Sequence, residues 1–263
     1  PMFSGNGVQW IATGEDVLAP SLGLGSFTRD ENDTVQEADL LYRPWQGVPR
    51  RQEPVAIFFR DGVLSDLVAF QYSGTPAAAA AADFMGRLRA IKDRLGATGA
   101  TGPHVVSVIL DGENAWENYP NDGIDFLREL YGALDGADWV RTVTPGQYLE
   151  AFGDRVEGLD EVWPGCWFSA NYATWIGEAE EAAAWDYLAA VRADLARAED
   201  AAETSPEALA AAYETMLFAE GSDWFWWYGA DKDSGNDAAF DDQFRETLGQ
   251  VYDALGLERP DFL

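Results

Sequence analysis

The chain has 263 residues, enough to bury a sizeable core, and a composition that is 47% hydrophobic and 13% aromatic excludes a disordered protein. Its 46 acidic residues against 17 basic ones leave a formal net charge of −29, which repels nucleic-acid phosphates and anionic membranes and excludes both as partners. A single cysteine, Cys166, cannot form a disulfide within the chain, and a single histidine, His104, argues against an imidazole-built zinc site and against a Ser-His-Asp triad.

In chain order, PVAIFFRDGVLSDLVAFQYS (54–73) reads as two short apolar runs around Arg60-Asp61-Gly62, with a further acid at Asp66. Thr75 is placed to cap a helix that has Pro76 in its first turn. Phe84, Leu88, Ile91 and Leu95 give that helix one apolar face, and Gly96 closes it. GATGATGP is a loop, and HVVSVIL (104–110) lacks polar alternation, as a strand buried on both faces does. A helix through Phe126, Leu127, Leu130, Tyr131 and Leu134 follows, then a strand WVRTV (139–143) and a short helix opened by Thr144-Pro145.

Strand, helix, strand, helix with near-continuous apolar strands is the pattern of a parallel sheet or barrel. After about residue 160 the pattern becomes helical. An alanine-rich amphipathic stretch runs from Ala173 to Ala201, Ser205-Pro206-Glu207 starts a helix that reaches about Glu220, and a last helix aligns Phe244, Leu248, Val251 and Leu255. The division is therefore a partial barrel over 1–160 and a helical region over 161–263, expected to pack as one unit.

Two constellations carry chemistry. The apolar run 104–110 ends at Asp111, with Glu113 and Trp116 in the same loop, and reacting residues of α/β barrels sit at such carboxyl ends. A turn-and-filler role for Asp-Gly and Trp116 is the plain alternative. The second is AEGSDWFWWYG (219–229), where Asp223, Trp224, Trp226, Trp227 and Tyr228 follow a helix-ending glycine and read as a loop. Aromatic faces stack on sugar rings while carboxylates bind hydroxyls, so the cluster leans towards a carbohydrate site. DKDSGNDAAFDD (231–242) misplaces the glycine and the final bidentate Glu of a calcium loop, and SLGLGSF lacks the strand-to-helix context of a phosphate loop. His104 opens an apolar run and reads as a packed or capped histidine.

Six segments taken together resemble glycoside hydrolase family 57, the α-amylase and α-glucan-modifying group: GVQWIATGEDVL, LYRPW, IFFRDGVLSD, VVSVILDGENAWENYPNDGIDFLRELYGAL, NYATWIGEAEEAAAW and AEGSDWFWWYG. The resemblance implies an incomplete (β/α)7 barrel followed by a helical region, and an α-glucan or oligosaccharide substrate with no cofactor. It makes Asp111 the catalytic acid/base of a retaining mechanism, in which a second carboxylate about 5 Å away attacks the sugar. It also implies that Glu113, Trp116, Asp223, Trp224, Trp226 and Trp227 line sugar subsites, with Asp66 supporting the cleft. In the family the attacking glutamate lies in a W-P-S-E-G-like segment just before the stretch that opens this chain. This identifies the chain as a C-terminal portion whose own Glu15 stands after that loop, and which is expected to be inactive alone. Gly14 departs from the aspartate of the family's ATDE-like sequence.

Three readings follow: a retaining α-glucan hydrolase or transferase, a non-catalytic carbohydrate-binding relative, and another seven-stranded-barrel enzyme such as a polysaccharide deacetylase. The last needs His and Asp metal ligands, for which only His104 is present. Acid-rich, alanine-rich helices with lysine only at Lys92 and Lys232 predict a salt-adapted surface, since 1 M salt screens self-repulsion beyond about 3 Å. PMFSGNGVQW has no basic n-region or signal-like core, so a cytoplasmic location in a halophilic host is expected.

Overall fold

The computed structural model describes residues 2–47, 55–112, 116–201 and 204–263. The chain divides into two compact units, Pro1–Asn171 and Tyr172–Leu263, so the segment 161–171 groups with the first. No helix of the described residues is long and apolar enough to cross a membrane.

The first unit is mixed α/β: α1 (Met2–Gly5), β1 (Trp10–Gly14), α2 (Glu15–Ser21), α3 (Ala38–Leu41), β2 (Trp45–Gln46), β3 (Ala56–Arg60), α4 (Gly62–Asp66), α5 (Ala77–Ala97), α6 (Ile124–Asp135), α7 (Pro145–Phe152) and β4 (Glu157–Gly158). The sheet order is β1-β3-β2-β4. β1 and β3 run parallel from Trp10↔Ala56 to Gly14↔Arg60, β2 meets β3 antiparallel, and β4 runs parallel to β2. All five residues of β3 are buried, as a central apolar strand requires.

Periodicity located α5 and α6. Phe84, Leu88, Ile91 and Leu95 of α5 are buried together with Phe126 and Leu130 of α6, each contributing roughly 1.5–3 kcal/mol by leaving water. The ends of α5 differ from expectation. Pro76 occupies the N-cap and its carbonyl accepts from Ala79 and Ala80, while Thr75 makes no side-chain cap. The stop is Gly99 at φ 70 rather than Gly96, because the bonds Gly99 N–H to Gly96 O and Ala100 N–H to Leu95 O require a left-handed residue there. The second apolar run of 54–73 is helical, through α4, a π turn over Leu67–Gln71 and a 3-10 turn over Tyr72–Gly74. Thr144 opens α7 with a reciprocal capping box to Gln147.

Two expected strands are not strands. Residues 104–110 meet β3 through a single parallel bridge, Arg60↔Ser107, and are half-buried rather than buried. Residues 139–143 are irregular and partly exposed. An apolar sequence favours extended chain, but a strand exists only where a partner completes its hydrogen-bond ladder, and that partner is not encoded locally.

The second unit is helical: α8 (Ala179–Asp200), α9 (Pro206–Ala219), α10 (Asp223–Trp227) and α11 (Asp237–Leu255). Leu188, Val191, Leu195, Met216, Phe225, Phe244, Leu248 and Val251 form its core. Ser205 caps α9 by accepting from Ala208 N–H, as its Ser-Pro-Glu start predicts. The tryptophan-rich stretch expected to be a loop holds the five-residue α10, which buries Phe225 completely. In the acidic run 231–242, Asp237 is the first residue of α11 and takes hydrogen bonds from the Ser234 amide and hydroxyl.

Candidate active site

Two parallel strands end in register in the first unit, and a third segment bridges to them. Gly14 of β1 pairs with Arg60 of β3, and Arg60 bridges to Ser107. One residue further on stand Glu15 and Asp61, and four residues beyond Ser107 stands half-buried Asp111. Parallel register thus brings Glu15 and Asp61 to the same end of the sheet, the end where βα loops open, while Asp111 lies three residues further along its own segment.

Glu15 and Asp61 share one cation. Arg29 Nη2 lies 2.6 Å from Glu15 Oε2 and 3.1 Å from Asp61 Oδ1. Asp61 is 1% exposed and also accepts from the Tyr42 hydroxyl at 2.6 Å and from Leu64 N–H at 3.0 Å, the latter as N-cap of α4. The Gly62 amide donates to Glu15 at 3.1 Å. Next to this group Arg60, 8% exposed, pairs with Asp66 at 2.6 Å and lies 4.8 Å over the Trp167 ring. The hydroxyl of Ser65 accepts from Ile109 N–H at 3.2 Å, tying α4 to the chain that leads to Asp111.

Burial raises the Glu15 carboxyl above its ordinary value, with Arg29 pulling it down and Asp61 adding to the rise. Burial works against the Arg29 charge, but Asp61 and Glu15 outweigh it and its pKa is raised. Burial and then Asp61 raise the Tyr42 phenol. An acid with a raised folded-state pKa binds more protons folded than unfolded. Its contribution to stability is therefore fully present below the ordinary value of 4.5 and declines as pH rises through the raised one. Glu15→Gln is expected to remove this decline, seen by comparing unfolding free energies of the two proteins between about pH 4 and pH 8. Parallel curves would refute it.

Gly14 has a steric reason. A Cβ there would lie 2.2 Å from the carbonyl oxygen of Trp167, so the 162–171 segment crosses the end of β1 where a side chain would stand. The same segment is pinned by Trp163 N–H to Ser21 Oγ at 2.8 Å. Gly14→Ala is expected to cost about 1–3 kcal/mol through this overlap, measured by denaturant unfolding. An unchanged midpoint would mean that the segment shifts freely.

Of the residues singled out in the sequence, Asp66 lies at the strand ends in its pair with Arg60. Trp116 packs against the core and the Tyr119 ring at 5.5 Å, and its indole fills the space beside Gly123, where a Cβ would lie 2.7 Å away. Glu113 lies outside the described residues.

Asp223, Trp224, Trp226 and Trp227 belong to the second unit. Asp223 and Trp227 are exposed. Trp224 packs on Phe240 and Phe244 and donates its indole N–H to Phe218 O at 2.9 Å. Trp226 stands 5.4 Å from the Trp175 ring, with Lys232 Nζ 4.5 Å over its face. Sequence reasoning missed Glu15, Arg29, Tyr42 and Asp61. Only the strand-end position of Glu15 and Asp61 offered a signal. Among the described residues, no group of three or more His, Cys, Asp or Glu is placed to hold a metal ion.

The first unit is thus a mixed α/β fold whose parallel strands β1 and β3 bring two carboxylates to one end. The model of glycosyl hydrolase family 57 matches residues 1–159, and the chain belongs to that family. A crystal structure of a GH57-type branching enzyme from the hyperthermophilic archaeon Pyrococcus horikoshii matches in fold, with a TM-score of 0.69 at 13% identity. The match covers 98% of this chain, which spans 56% of that structure's length. No curated protein sequence matches the chain.

Proposed function

We propose that the protein acts on α-glucans as a retaining glycoside hydrolase or glucanotransferase, with Asp111 as acid/base. The observation that supports this reading is the parallel bridge Arg60↔Ser107, which lays the segment leading to Asp111 beside the end of β3 within the stretch that matches the family. In this mechanism Asp111 gives its proton to the glycosidic oxygen as the bond breaks. It then takes a proton from the water or sugar hydroxyl that opens the glycosyl intermediate. The attacking carboxylate that the mechanism needs is assigned to no residue of this chain. Glu15 and Asp61 are committed to Arg29, and their role is to fix the strand ends that position the site.

The first unit, residues 1–160 in the sequence division, is the catalytic part of an incomplete (β/α)7 barrel in this reading, and 161–263 its helical region. The branching-enzyme neighbour favours transfer over hydrolysis, and the acidic surface favours work in concentrated salt. Exposed Trp227 supplies a sugar-stacking face, whereas Trp224 serves the helical core. Trp227→Ala is expected to weaken glucan binding with little loss of stability, and Trp224→Ala to cost about 3 kcal/mol of stability. Affinity electrophoresis in glycogen and thermal unfolding separate the two, and the reverse pattern would overturn the assignment.

The deciding experiment incubates protein from the full reading frame with soluble starch in molar salt. New reducing ends mark hydrolysis. Changed iodine staining without new reducing ends marks transfer. Retention by starch with neither change supports a carbohydrate-binding relative instead.

A further inference from the structure

A cavity of about 320 Å³ in the first unit lies away from the carboxylate end. Its lining includes Arg43, Thr101, His104, Tyr148, Arg155 and Glu157. The chain has 17 lysines and arginines and one histidine against 46 acids, yet three of those basic groups converge on this one concavity. They come from three separate places: Arg43 follows α3, His104 opens the run to Asp111, and Arg155 precedes β4.

Two of the three are held in place from behind. Asp39 Oδ1 accepts from Arg43 Nη2 and lies 2.7 Å from His104 Nε2, which fixes both groups at the wall. Arg43 Nη1 bonds Glu157 at 2.7 Å, but the Glu157 side chain is 63% exposed, and an exposed pair of this kind is worth only about 0–1 kcal/mol. Glu157 can therefore turn into solvent at small cost. Arg155 pairs with no carboxylate among the described residues and lies 5.9 Å over the Phe152 ring. Burial raises the buried Tyr148 phenol, and Arg43 and then Arg155 oppose the rise. The Tyr148 hydroxyl itself donates to Pro103 O.

We propose that this cavity is an anion site for a terminal phosphate group, met either as inorganic phosphate or as a hexose phosphate. A tetrahedral oxyanion accepts hydrogen bonds from several directions at once, whereas a carboxylate accepts mainly in its own plane. Donors from three elements match the former, and arginine forks bind phosphate oxygens in pairs. The site stands at the start of the extended run 104–110, whose far end is Asp111. Seven residues of chain separate them, so at full extension the two lie at most about 25 Å apart.

His104, the only histidine in the chain, reports on the cavity without labelling. The test follows its ring proton resonances while inorganic phosphate, and separately glucose 6-phosphate, is added at constant pH and ionic strength. Saturable shifts are expected from both phosphates, weakened at least tenfold in Arg155→Ala, an exposed position whose loss leaves no carboxylate unpaired. A linear drift with phosphate, an identical saturable shift in Arg155→Ala, or an equal saturable shift from neutral maltose would overturn the proposal. A shift from glucose 6-phosphate with none from phosphate supports it and assigns the sugar phosphate as the ligand.

Discussion

Asp111→Asn, introduced into protein from the full reading frame, is expected to lower turnover of an unactivated α-glucan by about 10²- to 10⁴-fold, the usual range for loss of a positioned proton donor, while glucan affinity stays close to that of the unsubstituted protein. The substitution keeps size and hydrogen-bonding ability but leaves no proton to give. An alkoxide leaving from a sugar is a poor leaving group, so this missing proton falls on bond breaking and appears in kcat rather than in binding. A nitrophenyl glycoside leaves without protonation, and its first step should lose far less. The diagnostic is the ratio of the two losses, taken from kcat and KM on starch and on the activated substrate. Equal losses on both would remove Asp111 from the donor role, and near-normal turnover of starch would remove it from catalysis.

How much of this could be seen in the sequence depended on the range over which the cause acts. The spacing of Phe84, Leu88, Ile91 and Leu95 shows α5 because one helix face is a local property, and Thr144 with Gln147 shows the start of α7 for the same reason. The run 104–110 misled because its apolar pattern predicts extended chain, while its pairing depends on β3, far away in sequence. The same run ends at Asp111, which the sequence offers as the acid/base. The cluster of Glu15 and Asp61 was not legible, since their partner Arg29 lies 14 and 32 residues away in a glycine-rich stretch that shows no pattern of its own. Gly14 looked like a departure from the family's aspartate. The structure supplies the reason, in a carbonyl from Trp167 that occupies the space. In α10 four aromatic residues in succession concealed a five-residue helix, in which Trp224 faces core rings and Trp227 faces solvent.

Arg29→Met is expected to cost about 3–5 kcal/mol, the loss that follows when one partner of a buried ion pair is removed and the other charge is left behind. Here two carboxylates are left: Asp61, whose side chain is 2% exposed, and Glu15, whose side chain is 16% exposed. Against a typical stability of about 5–15 kcal/mol, such a loss brings the first unit near its unfolding threshold. Two controls separate this from the general self-repulsion of a chain at −29. Molar salt screens surface charges over about 3 Å but reaches buried ones poorly, so it should stabilise parent and variant alike and leave the difference between them. Glu15→Gln in the Arg29→Met background should recover part of the loss, because one buried charge then disappears, and a double-mutant cycle measures the recovered part. Acidification should help the variant as well: without the cation the Glu15 carboxyl, already raised by burial, holds its proton more tightly in the folded state, so stability should rise as pH falls towards the ordinary carboxyl range. An Arg29→Met protein that unfolds at the parent's denaturant midpoint would mean that the Tyr42 hydroxyl and the Leu64 and Gly62 amides satisfy both carboxylates unaided. The strand ends would then be held by hydrogen bonds, with no need for the shared cation.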